Sequence, residues 1–71
     1  MSVSLDEQLL NAHERGDKSA LVSLYAMAAD QAPSDEARYF YMTHAYIFAL
    51  DTGNTLAGDL RARLQAAGRE A

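Results

Sequence analysis

The sequence predicts an all-α fold: four helices forming two antiparallel hairpins, in one small domain spanning residues 1–71. Three observations carry that expectation. Apolar residues recur at helical spacing through four stretches, and no segment alternates apolar and polar side chains as a half-buried strand does. Each stretch is bracketed by residues that start and stop helices. Between Tyr39 and Leu50, Thr43 and His44 are the only clearly polar side chains. That run is too short for a bilayer, which takes about 20 residues. A helix apolar around nearly its whole circumference is enclosed by protein, so a central helix with neighbours on several sides is expected.

The elements follow in order. Ser4 and Glu7 form a capping box, in which the hydroxyl accepts from the Glu7 amide. The first helix then runs from about Leu5 to Arg15, with Leu5, Leu9, Ala12 and His13 on one face. Gly16 suits the left-handed position past a helix end, and Asp17 can cap the next helix. The second helix covers Lys18 to Gln31 with two apolar stripes, one through Ala20, Leu21, Leu24, Tyr25 and Ala28, the other through Val22, Ala26 and Ala29. Pro33 ends it, because a proline disfavours helical geometry at the residue before it. Ser34 caps the third helix, and Asp35 and Glu36 complement the positive end of its dipole. This helix reaches about Asp51 and carries three apolar faces: Ala37, Tyr41, His44, Ala45 and Phe48; then Tyr39, Met42, Tyr46 and Ala49; then Phe40, Ile47 and Leu50. Thr52-Gly53 stops it. The fourth helix starts at Asn54 or Thr55, carries Leu56, Leu60, Leu64 and Ala67 down one side with Arg61, Arg63 and Asp59 outside, and closes at Gly68. Gly58 costs it about 1 kcal/mol relative to alanine unless something packs closely there. Residues 69–71 read as a frayed tail.

Bulk properties narrow the function classes. A chain of 71 residues is near the lower limit for a core that folds unaided, and with no cysteine neither a disulfide nor a thiolate metal site reinforces it. Two distant histidines without cysteine lack the spacing of a structural zinc site, and no cofactor is expected. The N-terminal residues show no signal-peptide pattern, which makes the cytoplasm the default location. The net charge of -4 is lopsided. Acids dominate up to Glu36, and only Arg38, Arg61, Arg63 and Arg69 follow against Asp51, Asp59 and Glu70. Nucleic-acid binders present a basic face because phosphate contacts dominate their affinity, so nucleic acid is not an expected partner, and neither is a membrane.

The two hairpins resemble each other. Ala12, Glu14, Gly16, Asp17 and Ala20 match Ala49, Asp51, Gly53, Asn54 and Ala57 at an offset of about 37 residues, close to the ~34-residue period of tetratricopeptide arrays. The chain thus resembles a tetratricopeptide or Sel-like helical repeat. Leu24-Tyr25 with Ala28-Ala29-Asp30-Gln31 is similar to the end of a Sel-like second helix, and Pro33 falls where a tetratricopeptide unit carries its terminal proline. In the second unit Tyr41, Ala45, Phe48 and Ala57 match the large and small consensus positions. His44 and Arg61 depart from that pattern, and the first unit lacks a large-small-large set. The resemblance implies a protein-binding module. Such arrays usually need about three units to stand alone, so two units favour docking or self-association.

No Asp or Glu lies one turn from His44 on its helix, so the residue reads as a packed histidine bonding a backbone carbonyl or a tyrosine hydroxyl rather than as a catalytic group. His13, beside Glu14, reads as surface. The acids at helix starts are explained by the dipole, and no glycine-rich phosphate loop or nucleophile elbow occurs. An enzyme is therefore not expected. The aromatic third helix has more apolar faces than three neighbours can cover, and aromatics are enriched at binding hot spots. The expectation is an interaction module that binds a partner protein or peptide through Tyr39, Met42, Tyr46 and His44. The alternative is a structural homodimer on the same apolar surface, with no separate ligand.

Overall fold

The computed structural model describes residues 4–69, all-α with four helices and no strand among the described residues. They are α1 (Leu5–Arg15), α2 (Lys18–Asp30), α3 (Asp35–Thr52) and α4 (Leu56–Ala66). Of the expected tail, Glu70 and Ala71 lie outside the described residues, as do residues 1–3 at the other terminus.

Local chemistry explains most boundaries. The Ser4 hydroxyl accepts from the Glu7 amide at 3.2 Å, Asp17 Oδ1 from the Ala20 amide at 3.1 Å, and the Ser34 hydroxyl from the Ala37 amide at 3.1 Å. Each satisfies one of the amides that a helix start leaves unpaired. Gly16 and Gly53 stop α1 and α3 with φ of 65° and 66°. Past each glycine the next amide folds back: Asp17 N–H donates to Ala12 and Asn54 N–H to Ala49, both at 2.9 Å. The two glycine stops thus share one backbone geometry.

Four boundaries differ from expectation, one of them the end of α4, where Ala66 is the last helical residue and Ala67 the cap. Gln31 is the terminal cap of α2 rather than its last helical residue, and α3 extends one residue further, to Thr52. The start of α4 moves to Leu56. Asn54 Oδ1 accepts from the Leu56 amide at 2.8 Å, two residues on, which closes a turn instead of capping a helix. Thr55, the residue before α4, already has helical dihedrals and makes no side-chain cap bond.

The helices pack in chain order. Backbones approach closely between α1 and α2, between α2 and α3, and between α3 and α4, with α2–α3 the most extensive pair. This is an open row, not a closed four-helix bundle, since α1 and α4 do not meet. The main core joins Val22 and Ala29 of α2, Met42, Ala45 and Ala49 of α3, and Leu60 and Leu64 of α4. The alanines let helix axes come close, and a fully buried leucine such as Leu64 contributes about 1.5–3 kcal/mol relative to an exposed one. Ala12 of α1 and Leu21 and Ala28 of α2 are buried outside that cluster. α3 is an inner helix of the row, like α2, and meets only α2 and α4, so the enclosure on several sides expected of it is not found.

Candidate interaction surface

Successive residues on α3 turn through about 100°, since 3.6 residues complete a turn, and three environments result. Met42, Ala45 and Ala49 face inward and are buried. Tyr39, Tyr41, Tyr46 and Phe48 lie half-buried on the flanks, packed against the core. On the remaining side Phe40, Ile47 and Leu50 are 57%, 50% and 56% exposed. Together with Glu36 and Thr43 these three form a single stripe with steps of four, three, four and three residues, the spacing at which one helix packs against another.

The polar groups near this stripe are turned back onto α3. Thr43 Oγ1 donates to the Tyr39 carbonyl at 2.8 Å. His44 Nδ1 lies 3.0 Å from the Phe40 carbonyl. A carbonyl only accepts, so Nδ1 carries a proton in that bond. The side chain of His44 thus makes the backbone bond expected of it, with its ring 4.5 Å from Phe40. Between Arg38 and Asp51 the helix presents no ionised acid, lysine or arginine.

One flank of the stripe ends in a cation. The Arg69 guanidinium sits 4.9 Å from the centre of the Tyr39 ring, an attraction with the ring's electron-rich face. Glu36, Tyr39, Phe40, Thr43, His44 and Arg69 line an open groove of about 340 Å³ there.

On the other flank the side chains gather around Tyr25 of α2. Its ring stacks on Phe48 at 5.9 Å with 12° between planes, and lies 5.2 Å from His44 and 6.2 Å from Tyr41. Its hydroxyl is 2.8 Å from Nε2 of His13 on α1, and the His13 ring meets Phe48 edge-on at 6.0 Å. Burial holds the Tyr25 phenol above its ordinary value of 10.0, and the neighbouring Tyr41 adds to the shift. This cluster joins three helices through side chains, although the backbones of α1 and α3 do not approach.

The exposed residues are not the ones the sequence singled out. Met42, expected at the surface, is 2% exposed and belongs to the core. Tyr39 and Tyr46 are half-buried against that core, and His44 is half-buried among Phe40 and Tyr25. The reason is the placement of α2 and α4, which close on the arc of Met42, Ala45 and Ala49. A signal for this was present. Alanine permits close backbone approach, and the Phe40–Ile47–Leu50 face is the one apolar face of α3 without an alanine. His13, read as surface, is exposed yet bonded to Tyr25; nothing in the spacing of these residues signalled that contact.

Among the described residues no three His, Cys, Asp or Glu side chains gather as a metal-binding group, and no helix is long and apolar enough to cross a membrane. Compared with protein-family models, curated proteins and solved structures, the chain has no significant match.

Proposed function

We propose that this chain is a non-enzymatic protein-interaction module whose working surface is the exposed stripe of α3. One observation carries the reading: Phe40, Ile47 and Leu50, three large apolar side chains, stand half or more exposed on a single helical stripe. Scattered exposed apolar residues are ordinary, but an aligned group rimmed by polar residues marks a contact surface. Gly68 closes α4 with a left-handed φ and the same back-bond, from the Arg69 amide to Leu64, as Gly16 and Gly53, so the repeat resemblance rests on the sequence offset between the hairpins. Relative to the residues expected from sequence, Phe40, Ile47 and Leu50 replace Met42 and Tyr46 as principal contacts, while Tyr39 and His44 form the rim of the groove.

The test compares wild type with Ile47→Lys. Crosslinking in the native host, read by mass spectrometry, is expected to recover a protein, this chain or another, with wild type and to lose it with the variant. Circular dichroism must show equal helicity in both, as the exposure of Ile47 leads one to expect. Equal recovery by the two chains would remove the reading.

A further inference from the structure

We infer that α1 is a releasable strap: it leaves α2 and unravels as one unit while α2, α3 and α4 stay packed, and its departure uncovers an apolar stripe on α2. The inference does not depend on the α3 surface proposed above. Folded proteins open in units, and the unit with the fewest buried apolar contacts opens most readily. Its backbone approaches only α2, it supplies no residue to the main core, and Ala12 is its single fully buried residue. Leu5 and Leu9 are half-buried, and Leu10 is more than half exposed. α4 also approaches a single neighbour, but it sinks Leu60 and Leu64 into the main core.

The seam between α1 and α2 is bordered by grooves. Leu5 and Leu9 of α1 line one of about 240 Å³ together with Ala28 and Gln31 of α2. Gln8, Asn11 and Arg15 line another of about 340 Å³ together with Ala20, Ser23 and Leu24. Side chains beside a groove lack packing partners on that side, so Ala12 and the 2.8 Å contact between His13 and Tyr25 are the main points of attachment. The start of α2 does not need α1. Asp17 Oδ1 caps the Ala20 amide at 3.1 Å, and Lys18 meets Asp51 at 3.3 Å, which ties the first turn of α2 to the end of α3. Isolated helices shorter than about 12–15 residues are marginal in water, and α1 has 11, so once released it unravels. The stripe it leaves holds Leu21, Tyr25 and Ala28, spaced by four and three residues. Leu21 and Ala28 are the buried residues of α2 outside the main core.

Native-state hydrogen exchange of the full chain, followed amide by amide by NMR at rising sub-denaturing urea, tests the inference. The hydrogen-bonded amides of α1 are expected to exchange about tenfold faster or more than those in the buried middle of α3, at one shared opening free energy. Their urea slope should lie above zero but well under the global slope, because the slope scales with the surface exposed. Exchange of α1 and α3 at one free energy and slope overturns the strap, since the chain then opens only as a whole. Amides of α1 that scatter without urea dependence overturn it as well, because they fray one by one. Ala12→Asp, which sets a charge into the seam, gives a second readout: protection of α1 is expected to vanish while α3 and α4 keep theirs. Loss of protection along the entire chain, or its retention in α1, overturns the inference.

Discussion

The hydroxyl of Tyr25 and Nε2 of His13 lie 2.8 Å apart, and through this bond the second helix holds the first. The attachment matters because α1 approaches no helix backbone other than that of α2. The same tyrosine ring stacks on Phe48 of α3, so one side chain fastens three helices. Tyr25→Phe keeps the stack and deletes the bond. We expect a loss of about 0.5–1.5 kcal/mol, the usual net worth of one hydrogen bond, measured by urea unfolding. Tyr25→Ala removes the stack too and should cost more than Tyr25→Phe. Equal stability of wild type and Tyr25→Phe would show that the bond contributes nothing to holding α1.

The same residue sets an alkaline limit. Burial, with Tyr41 second, raises the Tyr25 phenol above 10.0 in the folded chain. A raised value means the folded state favours the neutral phenol over the phenolate. That contribution is complete below about pH 10, the unfolded value, and is lost as pH climbs through the folded one. Melting temperatures between about pH 8 and pH 11 should therefore fall more steeply for wild type than for Tyr25→Phe. Parallel curves would place the alkaline sensitivity elsewhere.

What could be read from the sequence was what depends on neighbours along the chain. The caps at Ser4, Asp17 and Ser34 and the stops at Gly16 and Gly53 use bonds spanning three to five residues, and all five are present. The start of α4 was ambiguous because Asn54 and Thr55 are both capping residues, and a turn closed by Asn54 competes with a cap. The exposed face of α3 was a different problem. All three of its faces are apolar, so hydrophobicity alone does not rank them; the docking of α2 and α4 does, and that is tertiary. The His13–Tyr25 bond depends on how far α1 slides along α2, a register no local motif specifies.

Met42 and Phe40 separate core from contact surface. Met42 is buried in the main cluster, whereas Phe40 is more than half exposed. Met42→Ala should cost about 2–5 kcal/mol through lost burial and a cavity. Phe40→Ala should cost under about 1 kcal/mol, the range of an exposed site, while weakening any association through α3. Chemical denaturation of the two variants gives the comparison. A larger loss from Phe40→Ala than from Met42→Ala would contradict the assignment of the two faces.

Two glycines with equally open surroundings should respond to alanine in opposite directions. A Cβ added at Gly53 or at Gly58 meets nothing within 4 Å, so sterics with the rest of the molecule cancel from the comparison. What differs is the backbone. Gly53 holds φ at 66°, the left-handed region that lets the Asn54 amide fold back to Ala49. Alanine there carries a penalty of about 1–2 kcal/mol. Gly58 lies inside α4 and is not among the glycines with positive φ. There alanine lowers the entropy lost on folding and should stabilise by about 0.5–1 kcal/mol. Thermal unfolding of Gly53→Ala and Gly58→Ala should thus bracket wild type from below and above. If Gly58→Ala melts below wild type, some close approach at α4 has a use for that glycine beyond its own helix.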